Sequence, residues 1–456
     1  MFNLLIFIFL LHLFECKQIL FLFIHFRHGA RSPWIGLNYE TKTDIFNEKW
    51  ENEGELTPIG MRQLYLLGNS IKNKYYDFIE KYFNSNNIFV YSSDLNRTIQ
   101  SGYSFISGIY YENELNSLKN KKFDNKNFPF NLFDKKYYSK INEKLNEFEK
   151  NNSNIKNFNL IPVKIFNKYK REFNLYENEI CPFFEKAENF TFYENFNDFK
   201  LLIKEFIKNY GKIFKIYLNI TNDDYFYERF NTYTICDSFI VDYLDQRNFS
   251  DFKKIIKENN LNFDFEEFYN FSLEFCFKFY YYFEYKDKNY ELATIGSSNI
   301  LRNYLYYIKQ HKSNKNVEEI PKILVYSGHD STLAFVSLLF NKIFNIKIQK
   351  GIFASNQIFE FYKNESGYFI DFIEDGNLSL TIEYDNFIDK INSNIFEQDK
   401  ITKWCFKENE DKLKNDKYKI YNILLNNYQI IVIILHFITG FLIYKEFRKY
   451  FYKNST

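Results

Sequence analysis

Gln18 to Pro33 reads QILFLFIHFRHGARSP. Its first nine residues are a nearly continuous apolar run, the pattern of a fully buried strand. Arg27, His28 and Arg31 follow, so they sit at the carboxyl end of that strand, the edge at which open α/β sheets bind ligands. Two guanidiniums four residues apart, with an imidazole between them, can surround a tetrahedral anion. Arginine forks pair with phosphate oxygens two at a time, and Gly29 lets the backbone come close. A histidine beside two fixed positive charges is disfavoured as imidazolium. It stays neutral and nucleophilic at lower pH than usual.

The flanking sequence extends this strand into a sheet. Leu56 to Lys74 opens with Thr57 as a cap and Pro58 at the first helical position, which predicts a helix. Ile88 to Tyr91 reads as a short strand. Ser92-Ser93-Asp94-Leu95-Asn96-Arg97-Thr98 follows it and brings a third arginine to the start of a helix, a place suited to anions. That helix runs over Asn96 to Tyr110. Asn- and Lys-rich sequence from Tyr111 to Phe158 predicts loops, and Leu160 to Ile165 a strand. Glu172 to Tyr285 is aromatic-rich and helix-like. Thr294 to Lys309 predicts a helix, and Lys322 to Tyr326 a strand ending in SGHDST, which supplies His329 and Asp330. Gly351 to Tyr362 and Gly367 to Ile373 predict further strands. The outer thirds are therefore α/β and the middle helical, which implies an α/β domain interrupted by an inserted helical subdomain.

Composition narrows the function. The 456 residues carry a net charge of +1, with 46% hydrophobic and 26% charged residues. That excludes a disordered chain and a multispanning membrane protein. Near-neutral charge also argues against nucleic acid as a partner. There are nine Arg against 50 Lys. A sequence biased this far toward lysine keeps arginine mainly where a planar fork is irreplaceable. Four of the nine are Arg27, Arg31, Arg62 and Arg97, and seven of the 14 glycines fall between Gly29 and Gly108. No cysteine has an arginine six positions on, so a cysteine phosphatase is excluded. With six histidines, two of them (His12 and His436) in apolar segments, a two-metal site is not expected. No metal and no cofactor are expected.

Both ends carry targeting signals. Leu4 to Phe14 is apolar apart from His12, and cleavage is expected near Cys16. Tyr428 to Tyr444 (YQIIVIILHFITGFLIY) is apolar on all faces, and its 17 residues are the short limit for a spanning helix. The tail KEFRKYFYKNST has four basic residues against one acid and is expected in the cytosol. Without Cys16, Cys181, Cys236, Cys276 and Cys405 remain, with three pairings open. Glycosylation sequons recur at Asn151, Asn189, Asn219, Asn248, Asn270, Asn364 and Asn377, as an Asn-rich chain also produces by chance.

FRHGARSP, LTPIGMRQLYLLG, YSSDLNRTIQSGYSFISGIY and VYSGHDSTL together resemble the histidine acid phosphatases. These form the second branch of the histidine phosphatase superfamily, with lysosomal and prostatic acid phosphatases and phytases. The resemblance covers about residues 19–110 and 294–373. Between them it is confined to Ile161-Pro162-Val163 and the surroundings of Cys181-Pro182. It implies an α/β fold with a central, mostly parallel sheet flanked by helices (phosphoglycerate-mutase-like) and an inserted helical cap. The expected division is residues 1–16 signal peptide, 17–125 and 290–405 discontinuous catalytic domain, 126–289 cap, 406–427 stalk, 428–444 membrane helix and 445–456 tail.

The same resemblance makes His28 the nucleophile that becomes phosphohistidine. Arg27, Arg31 and Arg97 hold the phosphoryl oxygens, His329 adds a donor, and Asp330 protonates the leaving oxygen. An aspartate with an ordinary pKa of about 3.9 does that best in acid, so an acidic optimum on phosphomonoesters is expected. A Cys181–Cys405 disulfide is implied. Where the family usually has another cysteine this chain has Asn356, which leaves Cys236 and Cys276 as the expected second pair. His25, three residues before His28, faces the other side of the strand and is expected to be packed. Asn96-Arg97-Thr98 is formally a sequon, expected to be unmodified because a glycan would block the pocket. The expected partners are a small phosphate monoester, the membrane through the C-terminal helix, and a second copy in a homodimer. Tyr444-Lys445-Glu446-Phe447 resembles a tyrosine-based sorting signal, so lysosome and cell surface both stay open. The alternatives are a phytase or inositol-polyphosphate phosphatase, and an inactive membrane-tethered binding ectodomain.

Overall fold

The computed structural model describes residues 17–33, 53–114, 161–165, 181–313, 320–348 and 351–406. The expected signal peptide, membrane helix and cytosolic tail lie outside these residues, as does nearly all of the stretch expected to form loops between Tyr111 and Phe158. Among the described residues no helix is long and apolar enough to cross a membrane.

The strand that opens the chain, β1 (Gln18–Arg27), lies inside a seven-stranded sheet. Side chains alternate between the faces of a strand. Phe21 and Phe23 therefore enter one core and Leu22, Ile24 and Phe26 the other, all essentially inaccessible to solvent. This two-sided burial is the physical reason for the unbroken apolar run. The other strands are β2 (Ile88–Ser92), β3 (Val163–Ile165), β4 (Ile323–Gly328), β5 (Asn356–Asn364), β6 (Gly367–Glu374) and β7 (Asn377–Glu383). Their order is β3-β2-β4-β1-β5-β6-β7. The first four run parallel and form the core of the sheet, while β5, β6 and β7 extend it antiparallel from β1.

Helices cover both faces. α1 (Pro58–Lys74) and α2 (Asn96–Glu114) lie on one side, and α1 starts as its sequence requires, with the Thr57 hydroxyl accepting from the Gly60 amide at 3.1 Å. The inserted helices are α3 (Phe184–Glu194), α4 (Phe196–Phe206), α5 (Lys212–Leu218), α6 (Asp224–Tyr227), α7 (Asn231–Leu244), α8 (Ser250–Glu258) and α9 (Phe265–Lys278). They build a second core, rich in phenylalanine, around Phe199, Phe206, Phe214, Phe268 and Phe275. α10 (Glu291–Ser313) and α11 (Asp330–Phe344) cover the remaining face of the sheet, and α12 (Tyr384–Asn394) follows β7.

The sequence reading needs several corrections. β5 starts at Asn356, because residues 351–355 turn, with Ala354 at φ 61°. β7 and α12 were not foreseen. Cys181 and Cys405 are bonded, as expected. Cys236 and Cys276 are not: both are free thiols. Cys236 is buried in the phenylalanine core, and Cys276 packs against that core while also lining a pocket beside the sheet.

Candidate active site

Three parallel strands end side by side. In the β1–β4 register Arg27 lies opposite Gly328, and in the β2–β4 register Ser92 lies opposite Ser327. The residues that follow, His28, His329 and Ser93, therefore emerge at one edge of the sheet. The loop after β1 needs glycine there. A Cβ on Gly29 would lie 2.3 Å from the Gly60 carbonyl oxygen, and one on Gly60 would lie 2.1 Å from that of Ala30. The close approach presses the start of α1 against the loop that carries His28 and Arg31.

His28 is almost fully buried. Its Nδ1 lies 2.9 Å from the Gly29 carbonyl oxygen, which can only accept, so Nδ1 carries the proton and Nε2 keeps its lone pair. Burial pushes its pKa well below the ordinary value, and Arg97, Arg27, His329 and Arg31 push it further. The His329 ring stands edge-on, 5.6 Å from the His28 ring. Ser93 Oγ lies 2.9 Å from His329 Nε2 and fixes that ring's orientation. Burial, with Arg97 next, takes the His329 pKa down to about 3.

The three arginines differ in how far they are committed. Arg27 donates to the Gly351 carbonyl at 2.8 Å, pairs with Asp330 at 2.8 Å and lies over the Phe353 ring at 4.3 Å. Arg31 forks onto Asp237 at 3.0 and 3.1 Å. Among the described residues Arg97 makes one long contact, 3.4 Å, to the Gly54 carbonyl, and its Nε is buried without a partner. Burial, then Arg31 and Arg27, push its pKa down to about 10. Asp330 and Glu55 pull the other way, but among the described residues Arg97 makes no direct ion pair. Burial acts to raise the Asp330 carboxyl, but Arg27, His329 and Arg31 outweigh it and hold the group below its ordinary value. Arg62, the remaining early arginine, is exposed on α1.

His25 is packed, as expected, against Phe23 and Tyr326. It is fully buried, with Nε2 3.0 Å from Thr332 Oγ1, whose hydroxyl also donates to the His329 carbonyl. It therefore braces the first turn of α11. Asn96, at the start of α2, reaches Glu55 at 3.2 Å. Among the described residues no cluster of His, Cys, Asp or Glu is arranged to hold a metal ion.

Sequence reading missed Asp237 and Phe353. Asp237 is a buried acid on α7 (NTYTICDSFIVDYL), and a carboxylate within so apolar a helix was the available signal. Phe353 offers its ring face to Arg27 and, at 5.8 Å, to Arg31.

Arg27, Arg31 and Arg97 thus surround a buried imidazole at the strand ends of a mixed α/β sheet. The chain belongs to the histidine phosphatase superfamily (branch 2), whose sequence profile matches residues 18–373. It is similar to the lysosomal acid phosphatase of Xenopus laevis, 33% identical over 98 residues (21% of this chain, 22% of the relative). It is also similar to the prostatic acid phosphatase of Homo sapiens, 30% identical over 95 residues (21% and 24%). The matched stretch spans about a quarter or less of those relatives' length. In fold it is similar to the phytase from Citrobacter braakii (TM-score 0.54, 12% identity, covering 83% of this chain and 98% of that one). Hafnia alvei phytase in complex with tartrate gives the same TM-score, identity and coverage.

Proposed function

We propose that this chain is a histidine acid phosphatase that hydrolyses phosphate monoesters in acid through a phosphohistidine at His28. The observation that carries the reading is Arg97, a guanidinium without a direct ion pair among the described residues, beside a buried imidazole kept neutral. A phosphoryl dianion supplies the anionic partner, and the lone pair on Nε2 supplies the nucleophile. His28 Nε2 forms the N–P bond as the ester P–O bond breaks, and Asp330 gives its proton to the leaving oxygen. Water then attacks phosphorus, its proton passes to the Asp330 carboxylate, the N–P bond breaks and inorganic phosphate leaves. Arg27, Arg31 and Arg97 neutralise the oxygens throughout, with His329 beside them.

Residues 17–125 and 290–405 would form the catalytic domain and 126–289 the cap. We further place the domain in the lumen or outside the cell, held by residues 428–444, in a lysosome-like compartment or at the cell surface. The apolar terminal segments support this, as does a disulfide, which persists in oxidising compartments. A homodimer belongs to the same proposal. Asn96 is expected to carry no glycan.

The test is hydrolysis of a panel of phosphate esters across pH, with chelator present, by the full chain and by His28→Ala. The wild type should be most active in acid and indifferent to chelator, and an acid-labile phosphoenzyme should form. The substitution should abolish that adduct and lower kcat by at least about 10³-fold. A phosphoenzyme that survives in His28→Ala would remove His28 from the nucleophile role.

A further inference from the structure

We propose that Asp237 determines specificity at this site. With Asp237 in place, the site takes a single phosphate on an uncharged aromatic or apolar alcohol and rejects polyphosphorylated substrates. The inference rests on the phosphatase reading above and deepens it. Asp237 comes from α7, far from the strand ends in sequence, yet it closes both carboxylate oxygens onto the Arg31 fork. Arg31 Nη1 also donates to the Ser32 carbonyl at 3.0 Å. Three of the four terminal N–H groups of Arg31 are therefore committed before any substrate arrives. Arg31 keeps its charge, since Asp237 raises its pKa against the opposing pull of burial. It has one terminal N–H left to offer an incoming oxygen.

Asp237 has a second face. It lines the pocket that opens beside Asp330, on the side where the leaving group must lie if Asp330 protonates it. Tyr233, Leu273, Phe277 and Phe353 make up much of the remaining wall. Among the described residues lining this pocket, Arg27 is the one cation, and it is already paired with Asp330. Both carboxylates are thus already paired, Asp330 with Arg27 and Asp237 with Arg31, across apolar and aromatic walls. A second phosphate on the leaving group would find no free cation among these residues and would have to compete with Asp237 and Asp330 for guanidiniums they already hold. A flat ring or an aliphatic chain would find surfaces to pack on.

The test compares kcat/KM for an aryl monophosphate and for myo-inositol hexakisphosphate in the full-length wild type, Asp237→Asn and Leu273→Lys. The wild type should favour the aryl ester. Asp237→Asn should narrow that preference by roughly tenfold and tighten competitive inhibition by inorganic phosphate. Leu273→Lys adds a cation to the same pocket without touching the Arg31 clamp. It should narrow the preference too, so the inference remains testable if Asp237→Asn fails to fold. A wild type that prefers the hexakisphosphate overturns the inference, as does a folded pair of variants that leave the ratio unchanged. Equal loss on both substrates would reduce Asp237 to a structural brace and overturns it as well. If the wild type hydrolyses neither ester, the phosphatase reading fails. The same ratio, read as calorimetric Kd values for the two compounds, then decides the inference separately.

Discussion

In the general-acid role proposed for it, Asp330 carries a conflict visible at the level of one side chain. A general acid must hold a proton when the ester bond breaks, yet the carboxyl is kept below its ordinary value by Arg27, His329 and Arg31, against burial. In the free site it is ionised at every pH above that depressed value. A bound phosphoryl group would compete for the Arg27 nitrogen that now holds Asp330 at 2.8 Å, and losing that partner raises the carboxyl. Substrate binding and acid thus work together, and kcat/KM should fall steadily as pH rises from the acidic side. Asp330→Asn should remove that dependence and lower kcat by about 10²–10⁴-fold on alkyl phosphates, whose oxygen needs the proton. Aryl phosphates with acidic phenols should suffer much less. Equal losses on both ester classes would take the acid role away from Asp330. The residues in this conflict were legible in sequence because each follows a buried strand within a short, chemically unusual motif. Asp237 was not, since it meets Arg31 across a sequence separation of 206 residues, from a helix that no local pattern links to the sheet.

At the level of elements, the join between the β1 loop and α1 is a tightly constrained piece of backbone near the site. Thr57→Ala removes the cap of α1 and should cost about 1 kcal/mol. Gly60→Ala keeps the cap but places a Cβ 2.1 Å from the Ala30 carbonyl oxygen, which has no flexible side chain to give way. The loop bearing Arg31 must then move. Gly60→Ala should therefore destabilise more than Thr57→Ala in urea unfolding, and lose activity even in the folded fraction. If the two behave alike, the contact is slack and the loop has room to shift. The start of α1 was readable because Thr57-Pro58 states a cap and a first turn locally. β7 and α12 were not readable. β7 is an edge strand of largely half-exposed or exposed residues, so burial does not impress a clear alternation on it. The start of β5 was misplaced for a related reason, because the Gly351 carbonyl is used by Arg27 and not by a neighbouring strand.

Across the whole molecule, the chemistry proposed for the site acts against the fold that holds it. Burial takes His25 to about 3, His329 to about 3 and His28 well below its ordinary value, whereas in the unfolded chain each titrates near 6.5. Between those limits the unfolded chain binds protons that the folded chain refuses, so stability falls as pH falls through 6.5 toward 3. The slope is up to about 1.4 kcal/mol per pH unit for each histidine. Asp330 and Glu360, held below their ordinary values, add to the loss lower down. Glu374 and Asp375, which burial raises, pull the other way just above theirs. Three histidines outweigh two carboxyls between pH 7 and 5, so the urea midpoint should be lower at pH 5. Inorganic phosphate should recover part of the difference, since an anion that binds the folded cradle stabilises it by mass action. His25→Asn isolates the cause. It removes one titrating group outside the cradle, so the gap between the midpoints at pH 7 and pH 5 should shrink while the phosphate effect persists. A midpoint that holds steady or rises toward pH 5 would mean that these imidazoles are already charged in the fold, and a charged His28 has no lone pair to offer phosphorus.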